Sequence, residues 1–500
     1  MNPVTGTPAP TVAPHPEASA RAPRSAALRL VPAIDTYPRV VAWAQTRLGK
    51  ALLLSLFAAG LFLRFDPRTS LAMTAILAAA TFLPNYRRWI VTAGTLLWLM
   101  VGGSWIDWTV VQFLITTRGL AGAINFPLLQ SVVLVAVLVL SAGWIGLARR
   151  YPRALPFRRP VLTLTIFYGV AVVFTSGILI GRNSVIAWMF VFTLGAYFWF
   201  LGYALVDARA RDGDSVGLQL GTFHPFWGST TTPVPKGASY LRRIECKDPQ
   251  ALAVTQLKAL KLLAWAGILY ISSRLFVGIA HVALPIPSYQ VAFNSFVAST
   301  PFPWYVCWLA LITVFVENLL SLCVWGHTVI ACCRMAGFRA LRNTYRPLEA
   351  RTIAEFWNRY YFYFKELLVD FFFYPTFFRW FKPHKRLRLA AATFMAAGFG
   401  NMFFHFIRDI GYVATFGLWQ AVIRYHVYAV YCLILSGGIV VSQLRNKAPR
   451  RTARWFEAPL FQRLGVVLFY CLLQVFDDTG RSHPITTHLA FLLHLFHMGR

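Results

Sequence analysis

The chain has 500 residues, of which 57% are hydrophobic and 13% charged, and its formal net charge is +30. A soluble core of ordinary proportions cannot bury this much apolar surface, so the composition excludes an ordinary soluble protein and predicts a polytopic membrane protein. The lysines and arginines lie in loops between apolar runs rather than on one compact basic face. This pattern argues against nucleic-acid binding and is typical of the positive-inside rule.

Residues 1–35 are rich in Pro, Ala and Thr and contain three scattered arginines but no apolar block. This composition predicts a disordered tail ahead of a multi-helix membrane domain that covers 36–500. The tail lacks the compact apolar core and the small-residue cleavage site of a secretory signal, so we expect it to be retained and cytosolic.

Apolar runs long enough to cross about 30 Å of hydrocarbon recur through the rest of the chain and predict an all-α fold with about ten to twelve transmembrane helices. The clearest spans are 127–148, 160–182, 184–206, 257–284, 303–334, 389–408, 416–443 and 459–476. Shorter or weaker runs are 50–64, 70–84, 88–105 and 485–497, with an amphipathic piece at 106–118. The span at 303–334 is long enough to bend or to be two helices.

Two basic clusters, at 379–388 and 445–454, frame a pair of these spans. By the positive-inside rule both clusters face the cytosol, so the chain between them must cross the membrane an even number of times. The spans 389–408 and 416–443 supply two crossings.

The longest polar segment, 207–256, is rich in turn residues and too short to form a domain. Its Gly-Ser-Thr-Thr-Thr run at 228–232 lacks the glycine spacing and the terminal lysine of a phosphate-binding loop. The segment is either a structured cap over one membrane face or an ordinary long connector.

No metal site is predicted. The seven cysteines have no Cys-x-x-Cys spacing and mostly lie in apolar runs, where they are expected to be small buried hydrophobes. His494 and His497 have a spacing compatible with metal ligation, but no carboxylate or cysteine pattern completes a site.

An aromatic stretch, 356–374, is interrupted by charged residues. At a helix step of about 100° per residue, Arg359, Glu366 and Asp370 fall within roughly 40° of one another on one helix face. Charges clustered in this way need one another or a polar cavity, so we expect them to form a structural polar network that lines a chamber.

The region 343–410 carries a family resemblance. Asn-Thr-Tyr-Arg-Pro at 343–347 and Phe-Trp-Asn-Arg-Tyr at 356–360, followed at a fixed distance by Asp370 and Pro375, resemble the signature of the membrane-bound O-acyltransferase (MBOAT) family. The similarity is to the bacterial branch that modifies polysaccharides and teichoic acids. His405 matches the family's catalytic histidine by its order, its approximate spacing and the aromatic residue before it.

The chain departs from the signature at three places. Tyr361 stands at the family's first histidine, Asn358 and Arg359 stand at its paired arginines, and Phe-His-Phe at 404–406 replaces the usual Trp-His-Gly. These departures are typical of a divergent branch. The resemblance makes Asn358, Arg359 and Tyr361 supporting or substrate-binding candidates.

The resemblance implies an O-acyltransferase that moves an acyl group, with acetyl as the first choice, from a thioester to a hydroxyl. The donor is acyl-CoA or, alternatively, a carrier-protein thioester, and no bound cofactor is expected. Carbohydrate hydroxyls outside the cytosol are the first choice of acceptor and lipid hydroxyls the second. Relatives suggest an exported acyltransferase partner for a polymeric acceptor, and the branch suggests a bacterial inner membrane.

Acyl transfer needs a base that takes the proton of the hydroxyl and returns it to the leaving thiolate, and imidazole titrates in the right range. His405 is therefore the candidate base, at about 24 Å along a helix that begins at 389. The alternative is a packing histidine that bonds to a neighbouring helix. The upstream signature favours catalysis.

Two neighbours of this histidine are supporting candidates. Asn401, one turn earlier, would polarise the acyl carbonyl or position the acceptor hydroxyl, or else make a helix-packing hydrogen bond. Asp409, four residues later, would orient the imidazole, or else form an ion pair with Arg408. Tyr361 would donate a hydrogen bond at the same site.

A competing hypothesis is a transporter or a non-catalytic membrane scaffold that keeps the acyltransferase fold. The departures at Tyr361 and Phe406 are its main support. Transporters often have paired halves with helices broken at matching positions, and the sequence has no such internal repeat.

Overall fold

The computed structural model of the protein describes residues 30–101, 108–120, 122, 125–179, 181–210, 213–228, 232–445, 459–477 and 483–498. Of these residues 79% are helical and none lies in a β-strand, which confirms the all-α prediction for the described ranges. The predicted tail lies outside them up to residue 29. Its last part is ordered, because Ile34–Thr36 forms a helical turn and Asp35 forms an ion pair with Lys261.

Eight helices in the described part of the chain are long and apolar enough to cross a membrane. They are α1 (Pro127–Arg150), α2 (Pro160–Gly177), α3 (Gly181–Ala208), α4 (Pro249–Ala283), α5 (Trp304–Met335), α6 (Lys385–Arg408), α7 (His426–Leu444) and α8 (Pro459–Phe476). Each corresponds to one of the clearest predicted spans. This set is compatible with a multi-pass membrane protein.

The weaker predicted spans form shorter helices, Arg47–Phe62, Pro67–Phe82, Arg87–Val101, Trp108–Thr117 and Ile485–Leu495. The longest of them has 16 residues, and a helix of that length spans only about 24 Å. The end of the predicted span 88–105 lies outside the described residues. The predicted total of ten to twelve crossings is therefore not established by these helices.

The structure shows whether two of the predicted spans are continuous helices. The span at 303–334 is the single helix α5, with no break over its 32 residues. The prediction of one span over 416–443 is wrong, because Gly417 has a φ of 82° and separates Gly411–Phe416 from Leu418–Arg424. The long helix of this region begins only at His426, after a further break at Tyr425.

The remaining helices are short connectors: Pro38–Gln45, Leu155–Arg158, Val216–Leu220, Ala238–Ile244, Tyr289–Val297, Ile353–Tyr360, Phe362–Leu368 and Tyr374–Phe377. Three segments are wound more widely than an α-helix, namely Gly278–Ala283, Val369–Phe373 and Phe394–Gly400. The first lies at the end of α4 and the last within α6. Single-turn helices occur at Pro84–Tyr86, Pro347–Glu349 and Gln474–Phe476.

Helix starts follow local signals. The side chain of Asp248 accepts a hydrogen bond from the backbone of Ala251 at the start of α4, and Thr352 does the same for Glu355 at the start of Ile353–Tyr360. Proline occupies the first turn of α1, α2 and α4, where its missing N–H costs nothing.

The centre of the fold is α3, in which every side chain from 191 to 205 is buried. Trp199 lies at its middle, with its ring stacked on Phe404 of α6 at 5.9 Å and on Phe371 at 5.8 Å. A helix that is apolar on all sides is typical of a position surrounded by other helices. Trp199 thus joins α3 directly to both parts of the signature region.

The described residues of the segment 213–248 pack into the fold. Phe223, Trp227 and Val234 are at most 3% exposed, and the indole N–H of Trp227 donates to the carbonyl of Val234. The Gly-Ser-Thr-Thr-Thr run lies mostly outside the described residues. The described part of this segment brings the charged residue Lys236 into the interior.

The structure tests only part of the prediction that an even number of crossings separates the two basic clusters. Two crossing-length helices, α6 and α7, lie between 379–388 and 445–454, as the even number requires. Residues 446–458, which hold most of the second cluster, lie outside the described ranges.

Candidate functional site

The signature is split by a break at Tyr361, between Ile353–Tyr360 and Phe362–Leu368. Asn343 fixes this break, because its carbonyl accepts the Phe362 N–H at 2.8 Å and its side chain accepts the Tyr363 N–H at 3.2 Å. The Thr344 hydroxyl donates to the carbonyl of Tyr360 at 2.9 Å. The Asn-Thr pair thus satisfies backbone groups that a continuous helix would have used.

The break makes the predicted single-face cluster of Arg359, Glu366 and Asp370 wrong. Arg359 ends the first helix and forms an ion pair with Glu355 at 2.7 Å, with Glu349 at 3.9 Å. Glu366 and Asp370 follow the break and face a different set of partners. The helical-angle argument fails because it assumed one uninterrupted helix from 359 to 370.

The partner of both carboxylates is Lys236, whose ammonium lies 2.8 Å from Glu366 and 2.7 Å from Asp370. The Tyr203 hydroxyl of α3 also donates to Asp370 at 2.8 Å, and Lys365 bonds to Glu366. The sequence argument missed Lys236 because it lies about 130 residues before its partners in a turn-rich segment. The signal available was the carboxylate pair itself, which in an aromatic stretch requires a cation from elsewhere.

The pKa values of this ion cluster show how its charges are held. Burial alone would lower the pKa of Lys236, but Asp370 and Glu366 outweigh that effect and raise it. Burial would raise the pKa of Glu366, but Lys365 and Lys236 outweigh it and hold the pKa below its usual value. For Lys365 burial dominates and lowers the pKa. The arrangement fits a structural network of fixed charges.

Tyr361 lies between the segment 213–248 and the second half of the signature. Burial raises the pKa of its phenol to about 12, and its hydroxyl shares a hydrogen bond with the side chain of Thr232. Its ring contacts Trp325 at 5.9 Å and Phe364 at 5.4 Å. Tyr361 is therefore a protonated, buried hydrogen-bonding group and not an acid or base at neutral pH.

His405 lies near the end of α6, half-buried in an aromatic shell. Its ring is 4.8 Å from Tyr428 of α7, 6.0 Å from Phe364 and 5.3 Å from Phe404. Phe364 belongs to the helix that follows the break. The structure thus places His405 beside the second half of the signature.

Two carboxamides of the signature region are buried. Asn401 is 1% exposed and lies one turn before His405, directly after the wide turns Phe394–Gly400. Asn358 is 8% exposed. The side-chain oxygens of Asn358 and Asn401 accept no hydrogen bond from any described residue. A buried amide oxygen without a protein partner is suited to accept a hydrogen bond from a ligand.

Asp409 forms an ion pair with Arg408, which was the alternative to orienting the imidazole of His405. Arg408 donates to its carboxylate at 2.7 Å and 3.0 Å, so the two neighbours form a bidentate pair at the end of α6. A bidentate geometry of this kind is the strongest form of the arginine–carboxylate contact.

A cavity of about 670 Å³ lies against the first half of the signature. Its aromatic lining consists of Tyr270, Phe315, Trp325, Phe356, Trp357, Tyr360, Tyr431 and Tyr470. Its polar lining consists of Arg64, Ser273, Arg274, Asn318, Ser321, Gln474 and Asp477. Pockets of this size that mix apolar walls with a few polar groups are typical of small-molecule sites.

His405 is not in the lining of the cavity but lies one aromatic ring behind it on two sides. Tyr431 of the lining stacks on Tyr428 at 5.1 Å, and Tyr428 contacts His405. Trp357 of the lining contacts Phe364 at 5.9 Å, and Phe364 also contacts His405. The single ring between the lining and the imidazole is therefore Tyr428 on one side and Phe364 on the other.

Asp477 is a cavity residue that the sequence argument missed. It follows the last turn of α8 and acts electrostatically on Tyr360, Tyr431 and Arg408. Tyr360 and Tyr431 line the same cavity. The position of Asp477 in the sequence did not indicate a site, because a carboxylate that follows an apolar run is equally well explained by a place at the membrane interface.

Three other histidines have structural partners. His281 bonds to Glu317 at 2.7 Å, His494 to the carbonyl of Phe302 at 2.9 Å, and His426 to the carbonyl of Ile423 at 2.7 Å. Within the described ranges no three side chains of His, Cys, Asp or Glu form a group that could hold a metal ion. The seven cysteines are buried and free.

In comparisons with known proteins, no family model matches the chain and no curated protein is significantly similar to it.

Proposed function

We propose that the protein is a membrane-embedded O-acyltransferase of MBOAT type. It transfers an acyl group, with acetyl as the first choice, from acyl-CoA or a carrier-protein thioester to a hydroxyl of an extracytoplasmic carbohydrate or lipid. The observation that carries this proposal is the position of His405, one aromatic ring from a mixed polar and aromatic cavity whose wall is formed by Phe356, Trp357 and Tyr360.

The chemistry assigns His405 as general base. Its imidazole takes the proton of the acceptor hydroxyl while the oxygen attacks the thioester carbonyl, and the carbon–sulfur bond then breaks. The imidazolium returns the proton to the leaving thiolate, so the histidine is regenerated. The buried amide of Asn401 is one turn away and its NH₂ would donate to the oxyanion that forms on the carbonyl oxygen.

The direction of transfer follows from the depth of His405. It lies 20 residues after Lys385 along α6, which is about 30 Å of helix and so close to the full thickness of the hydrocarbon. With the basic cluster 379–388 in the cytosol, the histidine lies toward the opposite face. An acceptor on the outside therefore has the shorter path to it.

The ion cluster of Lys236, Glu366 and Asp370 has a supporting role in this proposal. It fixes Phe362–Leu368, which carries Phe364 against His405. Its charges are paired with one another. We assign it to positioning and not to chemistry.

The membrane is proposed to be a bacterial inner membrane, with the N-terminus in the cytosol and lipid around the helices. The short helices Arg47–Phe62, Pro67–Phe82 and Arg87–Val101 would bring the crossings to about ten to twelve if the bilayer thins around them. A polymeric acceptor would need an exported acyltransferase partner to complete the transfer.

The test is acyl transfer from radiolabelled acetyl-CoA in proteoliposomes supplied with lipid and glycan fractions, comparing wild type with His405→Ala. His384→Ala, an exposed histidine of the basic cluster, is the matched control. We expect label in one fraction with wild type and His384→Ala, and a loss of at least 100-fold with His405→Ala, as for removal of a general base.

Equal labelling by His405→Ala and wild type would exclude His405 as the base. If no folded preparation labels any fraction from acetyl-CoA or from acyl-carrier thioesters, the scaffold or transporter hypothesis replaces the enzyme. Chromatographic monodispersity and thermal melting ensure that only folded variants are compared.

A further inference from the structure

Two arginines lie at one end of the cavity without a carboxylate. The Arg64 guanidinium is 5.2 Å from the centre of the Tyr270 ring, and Arg274 lies one turn after Tyr270 on α4. Both line the cavity. Within the described ranges neither guanidinium has an ion-pair partner.

The depth of Arg274 makes this arrangement costly in a bilayer. It lies 13 residues after Lys261, about 20 Å along α4, and nine residues before the end of the helix at Ala283, about 13 Å. An arginine at such a position inside a crossing helix normally pairs with an acid or faces a hydrated cavity. Here it faces the cavity.

The mouth of the cavity faces the side of the protein that lipid would cover. Tyr270 is 40% exposed, and the neighbouring Ile271 and Leu275 are 60% and 61% exposed. Arg274 and Asn318 are exposed at the same place. A rim that alternates apolar and polar groups matches a ligand that has a hydrocarbon part and a charged part.

The cavity also holds one carboxylate, Asp477, which lines it together with Tyr360 and Tyr431. A negative group on a ligand is therefore favoured beside the arginines and disfavoured beside Asp477. The charges of the cavity give a bound ligand one orientation.

We propose that the cavity binds an anionic amphiphile from the bilayer, with its phosphate or other anionic group between Arg64 and Arg274 and its hydrocarbon part on the rim of Ile271 and Leu275. In this orientation the uncharged, hydroxyl-bearing end of the ligand points toward Asp477 and His405. The ligand class is thus an acidic lipid or a lipid-linked sugar phosphate. Calling that ligand the acceptor rests on the proposed function, whereas its binding does not.

The probe is dodecyl phosphate, titrated into phosphatidylcholine nanodiscs that contain the full-length protein. Quenching or enhancement of tryptophan fluorescence reports binding, because Trp325 and Trp357 line the cavity. Dodecyl maltoside has the same chain without the anion, and glycerol phosphate has the anion without the chain. The variants are Arg274→Gln, Arg64→Gln and Arg182→Gln.

Arg182→Gln is the matched control, since Arg182 is an exposed arginine at the start of α3 and is not part of the cavity. We expect saturable binding of dodecyl phosphate to wild type and Arg182→Gln, and at least tenfold weaker binding to Arg274→Gln and Arg64→Gln. Both neutral maltoside and free glycerol phosphate are expected to bind at least tenfold more weakly than dodecyl phosphate.

Equal binding of dodecyl phosphate by all four proteins would overturn the site, because the arginines would then only reach toward lipid head groups. Glycerol phosphate that binds as tightly as dodecyl phosphate would overturn entry from the bilayer and make the ligand a soluble anion. The titration needs no acyl transfer, so binding with no activity would contradict the enzyme proposal alone. Arg274→Lys, which retains the positive charge, provides a second variant if Arg274→Gln does not fold.

Discussion

At the scale of single residues, Lys236 forms ion pairs with two carboxylates. In the described structure the other cation beside them is Lys365, which bonds to Glu366. The Lys236 ammonium contacts Glu366 and Asp370 at 2.8 Å and 2.7 Å. Removing one partner of a buried ion pair leaves an uncompensated charge, which costs more than the pair contributes.

We therefore expect Lys236→Met to lower the free energy of unfolding by about 3 kcal/mol. The measurement is denaturation by sodium dodecyl sulfate in mixed micelles, followed by tryptophan fluorescence. Lys236→Arg keeps a cation and should lose less. A triple variant that adds Glu366→Gln and Asp370→Asn removes the orphaned charges and should recover part of the loss. Unchanged stability of Lys236→Met would mean that the cluster does not hold the fold.

The acid limb of stability tests the same cluster through Glu366. Because Lys365 and Lys236 hold its folded pKa below the usual value, Glu366 stabilises the protein above the unfolded value of about 4.5, and this contribution is lost as the pH falls through the lowered folded pKa. The melting temperature of wild type should thus fall more steeply below pH 4.5 than that of Glu366→Gln. Parallel curves for the two proteins would contradict the lowered pKa.

At the scale of elements, Gly417 separates two short helices with φ 82° and ψ 159°, a conformation that side chains with a Cβ rarely adopt. We expect Gly417→Ala to cost about 1–3 kcal/mol of unfolding free energy. Gly437 lies within α7 and has open space where a Cβ would stand. Gly437→Ala is the matched control and should be neutral or stabilise by up to about 1 kcal/mol. Equal effects of both changes would show that the backbone at 417 can adjust.

The long helices were predictable because apolar length is a local property. α2, α3 and α5 appear within a few residues of the predicted spans 160–182, 184–206 and 303–334. The break at Tyr361 was not predictable, since it depends on hydrogen bonds that Asn343 accepts from residues about twenty positions later in the sequence. Periodicity alone continues through such a break and places Arg359 on the wrong face.

The candidate site divides in the same way. His405 and Asn401 could be named as candidates because they follow a sequence pattern on one helix. Lys236, Arg274 and Asp477 were missed because each acts across the fold and has only apolar or turn-forming residues as sequence neighbours. Long-range electrostatic partners leave no local periodicity in a single sequence.

At the scale of the whole molecule, the orientation in the membrane is directly testable. The basic loop 379–388 precedes α6, and the short helix Leu418–Arg424 lies after α6 and before α7. The positive-inside rule places Lys382 in the cytosol and Gln420 outside. The seven native cysteines are buried, so they give a low background for thiol labelling.

We expect an impermeant maleimide to label Gln420→Cys in intact spheroplasts and to label Lys382→Cys only after the membrane is opened. Both positions are exposed in the structure. The reverse pattern would place His405 toward the cytosol and would remove the argument for an external acceptor. Labelling of both variants in intact cells would contradict the single crossing, through α6, between these two sites.

The ion pairs of Lys236 with Glu366 and Asp370 can form only after most of the chain has been synthesised. The segment 213–248 leaves the ribosome about 130 residues before its carboxylates, which takes roughly 7–26 s at common translation rates. Until then Lys236 has neither carboxylate partner, and Trp199 of α3 lacks Phe371. The N-terminal half therefore cannot complete these contacts before 362–374 has been synthesised.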